Sequence, residues 1–497
     1  MAILSPALVV AMCVMFVLTR LHSHFYIFEH PLLFGLKYCI EPDKNDLAAI
    51  AEATNKGLQP GKKKGRQSSS TSKSTKITVT ALPVRRAKID HAFFPSEAEF
   101  PHHRELAHVT GIVCGYLAAF LFEDTMGCFF PGLLSNRRSV YVALFAVGFA
   151  VYEALKISIS LTSKRVVIAL AGASWIVALF GVSAGDFSNF IKFDKAFTAL
   201  SEEVTIVLRD VMDFEPEKVE LYATSMTVFV RILVTVVAAL IAASTAVPAR
   251  RFSRIDYDLN LQYRMDEADR RNDPYALGPP TPLTMMRIAL DYVVPLGTAF
   301  LWAVSPRDED FYSGWRLIGI LLCVAVRFGM ARIRIQGYLD GAIDAYRRFW
   351  AEKSVNGVVE AGRNCSFQVM GTSFYVMLIT MAYVAPALSP LIFALVAKHD
   401  GGFRPGFCRS GLLDNDRLTD TFYREIGGFL AWWSLASYAT FATVSLLSEF
   451  LVDFIDPTGR DRRGKLPVAT SSSEKRREKR LLQERIMRNR LRPASTT

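Results

Sequence analysis

The chain has 497 residues, is 51% hydrophobic and carries a formal net charge of +11. Its apolar residues gather into runs of about 17–26 residues separated by charged loops, the pattern of a polytopic α-helical membrane protein. The basic clusters flank these runs, which argues against a nucleic-acid partner, and the seven cysteines and eight histidines show no zinc-ligand spacing.

The first apolar run, residues 2–19, has no basic residue after Met1, and its first cation is Arg20. A cleaved signal peptide needs positive charge before its apolar core and a small-residue cleavage site after it. The run therefore reads as an uncleaved anchor span with its N-terminus outside.

Residues 20–104 read as a cytosolic, basic and partly disordered linker. Within it, 31–40 is too short to span and is expected on the membrane surface, and 43–53 is expected to form a short helix. Residues 61–76, GKKKGRQSSSTSKSTK, cannot bury a core. A plain linker, a lipid-binding basic patch and a phosphorylated segment all fit that composition.

Residues 105–452 read as the membrane bundle. Spans are expected at 106–122, 139–159, 166–182, 222–247, 285–304, 315–338, 365–397 and 427–450. With the anchor this makes an all-α bundle of about nine spans. Between 186 and 221, Phe193, Phe197, Leu200, Val204 and Leu208 recur at helical spacing, which predicts an amphipathic helix lying on the outer surface or against the bundle. Pro248 and the following basic pair predict a helix stop after the fifth span. Pro386 and Pro390 predict a kink or an end within the eighth. The tail 453–497 is basic, and a cap signal at Ser471 and Glu474 can start a helix that is either solvated or lies along anionic lipid.

An outside N-terminus places 20–104, 160–165, 248–284, 336–364 and the tail in the cytosol, and these are the basic stretches. Arg137 and Arg138 are the main exception. Cys128 and Cys408 then fall in outer loops, where a disulfide and free thiols are both compatible with the sequence. The membrane itself, endomembrane or plasma membrane, is not specified by these signals.

The seventh span carries the most informative charges. Arg316, Cys323, Arg327, Arg334 and Tyr338 share one helical face, and Arg332 points elsewhere. Arginine in a span is costly and faces protein or water rather than lipid. By a rise of about 1.5 Å per residue, Asp291 of the sixth span and Glu153 of the third can reach the layer of Arg327. The sequence therefore predicts an intramembrane polar layer of Glu153, Asp291 and Arg327. It serves either as structural ion pairs or as a lined pathway. Arg231, Arg287, Arg332 and Arg334 are further charges within or beside the membrane. Arg231 has no partner at its depth. No nucleotide-binding, hydrolase or metalloprotease motif is present in context, so no catalytic residue, cofactor or metal is assigned.

Several segments resemble the transmembrane protein 161 family. They include Arg327, Arg332, Gln336, Tyr338 and Leu339 in the seventh span and Tyr383-Val-Ala-Pro386 in the eighth. Gly428-Phe-Leu-Ala-Trp432-Trp433 in the ninth, Val294-Pro295-Leu296 and Leu301-Trp302 in the sixth, and the polar stretch after Pro42 with the lysine run at Lys62 add to the match. The basic tail and the charged 253–278 stretch depart from the family pattern. The resemblance implies a non-enzymatic multi-pass protein. It also implies modulation of potassium and calcium currents, a link to cardiac rhythm, or tolerance of oxidative stress, acting with an ion channel or another membrane protein. A transporter or channel with an Arg/Asp/Glu pathway and an endomembrane scaffold are the alternatives.

Overall fold

The computed structural model describes residues 6–25, 29–42, 84–89, 110–122, 148, 151–152, 155–183, 193–210, 215–264, 280–303, 309–351, 355–397 and 418–455. In chain order these give α1 (Pro6–Phe25), α2 (Glu29–Leu33), β1 (Lys37–Cys39), β2 (Arg86–Lys88), α3 (Thr110–Phe122) and α4 (155–161). There follow α5 (Lys164–Ser183), α6 (Phe193–Asp210), α7 (Pro216–Arg264), α8 (Pro282–Ala303) and α9 (Glu309–Asp340). The last four are α10 (Ile343–Ala351), α11 (Val355–Phe374), α12 (Val376–Ala397) and α13 (Leu418–Ile455).

Among the described residues, five helices are long and apolar enough to cross a membrane: Lys164–Ser183, Lys218–Tyr263, Pro282–Trp302, Val376–Leu395 and Arg424–Leu451. Val9–Leu18 and Thr110–Phe122 are shorter apolar helices. The architecture is an all-α membrane bundle. Much of the expected third span, the whole of 43–83 and the tail from 456 lie outside the described residues.

The peripheral spans hide one stripe and show the rest. In α5, Val167, Ser174, Ala178 and Val182 are buried along one line, while Ile168, Ile176 and Phe180 are exposed. An exposed apolar majority suits hydrocarbon as solvent. The central helix is α12, whose described side chains from Val376 to Leu395 are all buried.

Helix directions follow from the order of contacts. Along α8 and α9, Trp302 meets Arg316, Thr298 meets Cys323 and Asp291 meets Arg327, so the two are antiparallel. Along α7 and α13, Ala238 meets Trp433, Ser253 meets Ala442 and Tyr257 meets Phe450, so these run together. In α8 and α13, Ala299 meets Trp432 and Tyr292 faces Tyr438, which is again antiparallel.

Three expectations from the sequence are corrected. The helix does not stop at Pro248, because α7 runs through it to Arg264. A proline removes the donor to the carbonyl four residues earlier. Here that carbonyl, on Ser244, accepts the Ser158 hydroxyl at 2.9 Å, and such substitution keeps prolines tolerable within spans. The expected span 365–397 is two helices, α11 and α12, and α12 continues through Pro386 and Pro390 to Ala397. Finally, 20–104 is not only linker. β1 and β2 pair antiparallel, Lys37 opposite Lys88 and Cys39 opposite Arg86, and Gly35 turns into β1 at φ +82°. The amphipathic helix forms as α6. Its Phe193 and Phe197 are buried edge-on against Phe429 and Phe422 of α13.

The approach of α1 to α3 gives a test. A Cβ on Gly115 would stand 2.8 Å from the Ala11 carbonyl oxygen. Backbone cannot move aside as a side chain can. Gly115→Val should therefore destabilise the protein by about 1–3 kcal/mol, seen as a lower midpoint of thermal unfolding in detergent. An unchanged midpoint would mean that α1 is not seated on α3.

Candidate functional site

Arg327 and Arg334 are seven residues apart on α9 and therefore lie on one face, roughly 10 Å apart in height. Helical side chains lean toward the N-terminus of their helix, so Arg334 reaches back toward the layer of Arg327. Asp291, on antiparallel α8, leans the opposite way and meets both. Arg334 Nη1 lies 2.6 Å from Asp291 Oδ2, and Arg327 Nε lies 3.7 Å from Asp291 Oδ1.

A second carboxylate completes the site. Asp256 of α7 has its Oδ2 2.5 Å from Arg334 Nη2. Tyr292 donates its hydroxyl to the same oxygen at 2.7 Å and also lies 3.2 Å from Ser253 Oγ. Ser253 Oγ in turn lies 2.8 Å from the Ala249 carbonyl and 2.9 Å from that of Ala442, joining α7 to α13. Two arginines and two aspartates thus cancel within one layer contributed by α7, α8 and α9.

Aromatic rings line the layer. The Arg327 guanidinium carbon is 3.3 Å from the Tyr438 ring centroid, and that of Arg334 is 5.4 Å from Tyr383 and 5.7 Å from Tyr292. Arg334 Nη1 donates to the Tyr438 hydroxyl at 3.3 Å. Ring faces attract cations where water is excluded. The side chains of Arg334 and Asp291 are 0% exposed. Asp256 Oδ1 and the Tyr383 hydroxyl are buried with no hydrogen-bond partner among the described residues. Buried polar atoms of that kind are the usual ligands of internal water.

The remaining predicted residues are scattered. Arg231 does have a partner: its Nη2 lies 3.5 Å from Asp194 of α6, and its guanidinium carbon lies 4.6 Å from the Phe197 ring centroid. Arg287 is exposed near the start of α8. Arg332 does point away from the cluster. It donates to the Phe34 carbonyl at 2.8 Å and to the Pro31 carbonyl at 3.2 Å. One turn on, Gln336 accepts from the Lys37 amide and donates to the Lys37 carbonyl, both at 2.9 Å, as a neighbouring strand would. Below it, Arg86 Nη1 lies 3.6 Å from Asp340, whose carboxyl is pushed up by burial and held down by Arg86. Glu153, Cys128 and Cys408 lie outside the described residues, as does any disulfide between the cysteines.

Sequence reasoning missed Asp256, Tyr292, Tyr383 and Tyr438. Asp256 was hidden by Pro248, which put it in an expected loop. Its signal was the helical spacing of Phe252, Asp256 and Leu259 beyond that proline.

The fold and its internal charge layer define a multi-pass α-helical integral membrane protein. The family described as predicted transmembrane protein 161AB matches residues 2–416, and the chain belongs to it. No curated protein and no solved structure matches the chain.

The two kinds of ion pair should respond differently to mutation. Asp256→Ala leaves a fully buried guanidinium one carboxylate short, which costs about 3–5 kcal/mol. Asp194→Ala removes a partly exposed pair, worth at most about 1 kcal/mol. Thermal unfolding of both variants, measured side by side, should show the loss almost wholly in the first. Equal losses would mean that the charge layer does not hold α7 against α8 and α9.

Proposed function

We propose that this is a non-enzymatic, nine-span membrane protein, N-terminus outside and C-terminus cytosolic, that modulates ion currents through a partner channel or other membrane protein. The observation that supports a modulator over a conduit is the internal neutrality of the charge layer. Arg327, Arg334, Asp256 and Asp291 pair with one another, and α12 fills the centre of the bundle beside them. Pairing of this sort fixes helix packing and leaves the exposed surfaces for lipid and partners. The helix directions agree with alternate crossing, since α7 and α13 run one way and α8 runs against both α9 and α13. The current-modulating role, like a role in oxidative-stress tolerance, comes from the family resemblance.

The second reading is a transporter or channel. It is favoured by Asp256 Oδ1 and the Tyr383 hydroxyl, which offer buried polar ligands beside the arginines. A structural scaffold of the endomembrane system is the third.

Reconstitution separates them. The purified protein in liposomes should carry no ion flux of its own, and a channel should co-purify with it and change its currents. Flux that disappears in Arg327→Gln would establish the conduit instead. A stable complex with a non-channel protein, with currents unaltered, would establish the scaffold. For the orientation, Asn364 of the Asn-Cys-Ser sequon is exposed on α11 and should stay unglycosylated in cells. Sugar on Asn364 would reverse the proposed topology.

A further inference from the structure

Arg251 is a cation without an acidic partner among the described residues. It lies on α7 one turn before Ile255, where α7 crosses α9 closely. A Cβ on Gly337 would stand 2.7 Å from Ile255 Cγ2. The Arg251 guanidinium carbon is 5.3 Å from the Tyr338 ring centroid. Arg251 and Tyr338 are both half-buried, and neither has an ion pair or side-chain hydrogen bond among the described residues. Tyr375, between α11 and α12, is within electrostatic reach of Tyr338. Asp256, the nearest acid along α7 to be buried, is already held by Arg334 and Tyr292.

The height of this group can be fixed. Arg327 and Arg334 both reach Asp291, so its carboxylate lies between them. From their midpoint, Tyr338 is about 11 Å further along α9. From Asp291, Leu283 is about 12 Å back along antiparallel α8, and it is the first exposed apolar residue of that span. Arg251 and Tyr338 therefore stand where the hydrocarbon ends, on the side that the basic loops assign to the cytosol. Arg250 and Arg254 add exposed positive charge on the same helix. Phe367, Met370 and Phe374 of α11 add exposed apolar surface leading up to Tyr375.

We propose that Arg251, with the hydroxyls of Tyr338 and Tyr375, binds the phosphate of an anionic phospholipid at the cytosolic edge of the bundle. The guanidinium fork suits phosphate oxygens, and two phenols supply further donors. Basic pockets between spans on this side of a membrane take anionic headgroups. The site's place at the end of the hydrocarbon favours a lipid headgroup over phosphate in solution. The proposal requires the bundle to stand in a bilayer. It does not rest on current modulation, so flux and current results leave it unaffected.

The test is native mass spectrometry of the full-length protein from mixed micelles of phosphatidic acid and phosphatidylcholine. The wild type should retain phosphatidic acid in preference, and Arg251→Gln should reduce that retention about fivefold. Tyr338→Phe keeps the ring and removes only the hydroxyl. It should bind less phosphatidic acid at an unchanged unfolding midpoint, which reads the site even where Arg251→Gln folds poorly. Retention unchanged in both variants overturns the proposal. So does an equal loss in Arg250→Gln, which would show general charge attraction. Displacement of the lipid by millimolar inorganic phosphate would assign the site to phosphate in solution and overturn the lipid assignment.

Discussion

Two guanidinium groups and two carboxylates sealed from water constrain the rest of this structure. In hydrocarbon, an unpaired arginine is among the costliest groups a helix can carry. Arg334 avoids that cost by meeting Asp256 and Asp291 at once, and Arg327 by sharing Asp291 while lying against the Tyr438 ring. The pairing does more than cancel charge. It can form only when α7, α8 and α9 stand at one relative height, so it sets helix register where apolar packing alone is permissive. Slipping α8 by one turn would carry Asp291 about 5.4 Å away from its arginines.

Backbone groups obey the same demand. Pro248 leaves the Ser244 carbonyl without its helical donor, and Ser158 supplies one from another helix. At the far end of α9, Arg332 and Gln336 take up carbonyls and an amide of the segment between Pro31 and Lys37. Gln336 bonds both backbone groups of Lys37, so β1 has a neighbour on each side although the sheet has only two strands. The N-terminal region is thereby fastened to the helix that carries the charge layer. Movement of α9 along its axis would have to break contacts at both levels.

Neutrality also bears on function. A layer whose charges cancel internally offers no standing electrostatic site for a passing ion. Asp256 Oδ1 and the Tyr383 hydroxyl have no hydrogen-bond partner among the described residues, and both lie near the contact of α7 with α12. Further along α7, Arg251 shows the opposite condition, a cation that meets the Tyr338 ring of α9 and no acid among the described residues. One helix thus carries both a satisfied charge in the interior and an unsatisfied one at the edge.

Much of this was legible in the residues. Apolar runs of bilayer length announced a membrane bundle, because burying a chain in lipid needs long helices with internally bonded backbones. The face of Arg327 and Arg334, and the reach of Asp291 to it, followed from 3.6-residue periodicity and axial rise, which are local quantities. The amphipathic α6 was visible for the same reason. What only the tertiary structure decided was which partners stood opposite. Pro248 ended a helix by local rule, yet α7 continued because Ser158, distant in sequence, repaired the bond. That continuation brought Asp256 into the interior. Arg231 found Asp194 only because α6 folds back over α7, and Gln336 meets the Lys37 backbone only because the segment carrying β1 lies against α9. Local sequence encodes period, length and charge, whereas pairing depends on which surfaces meet in space.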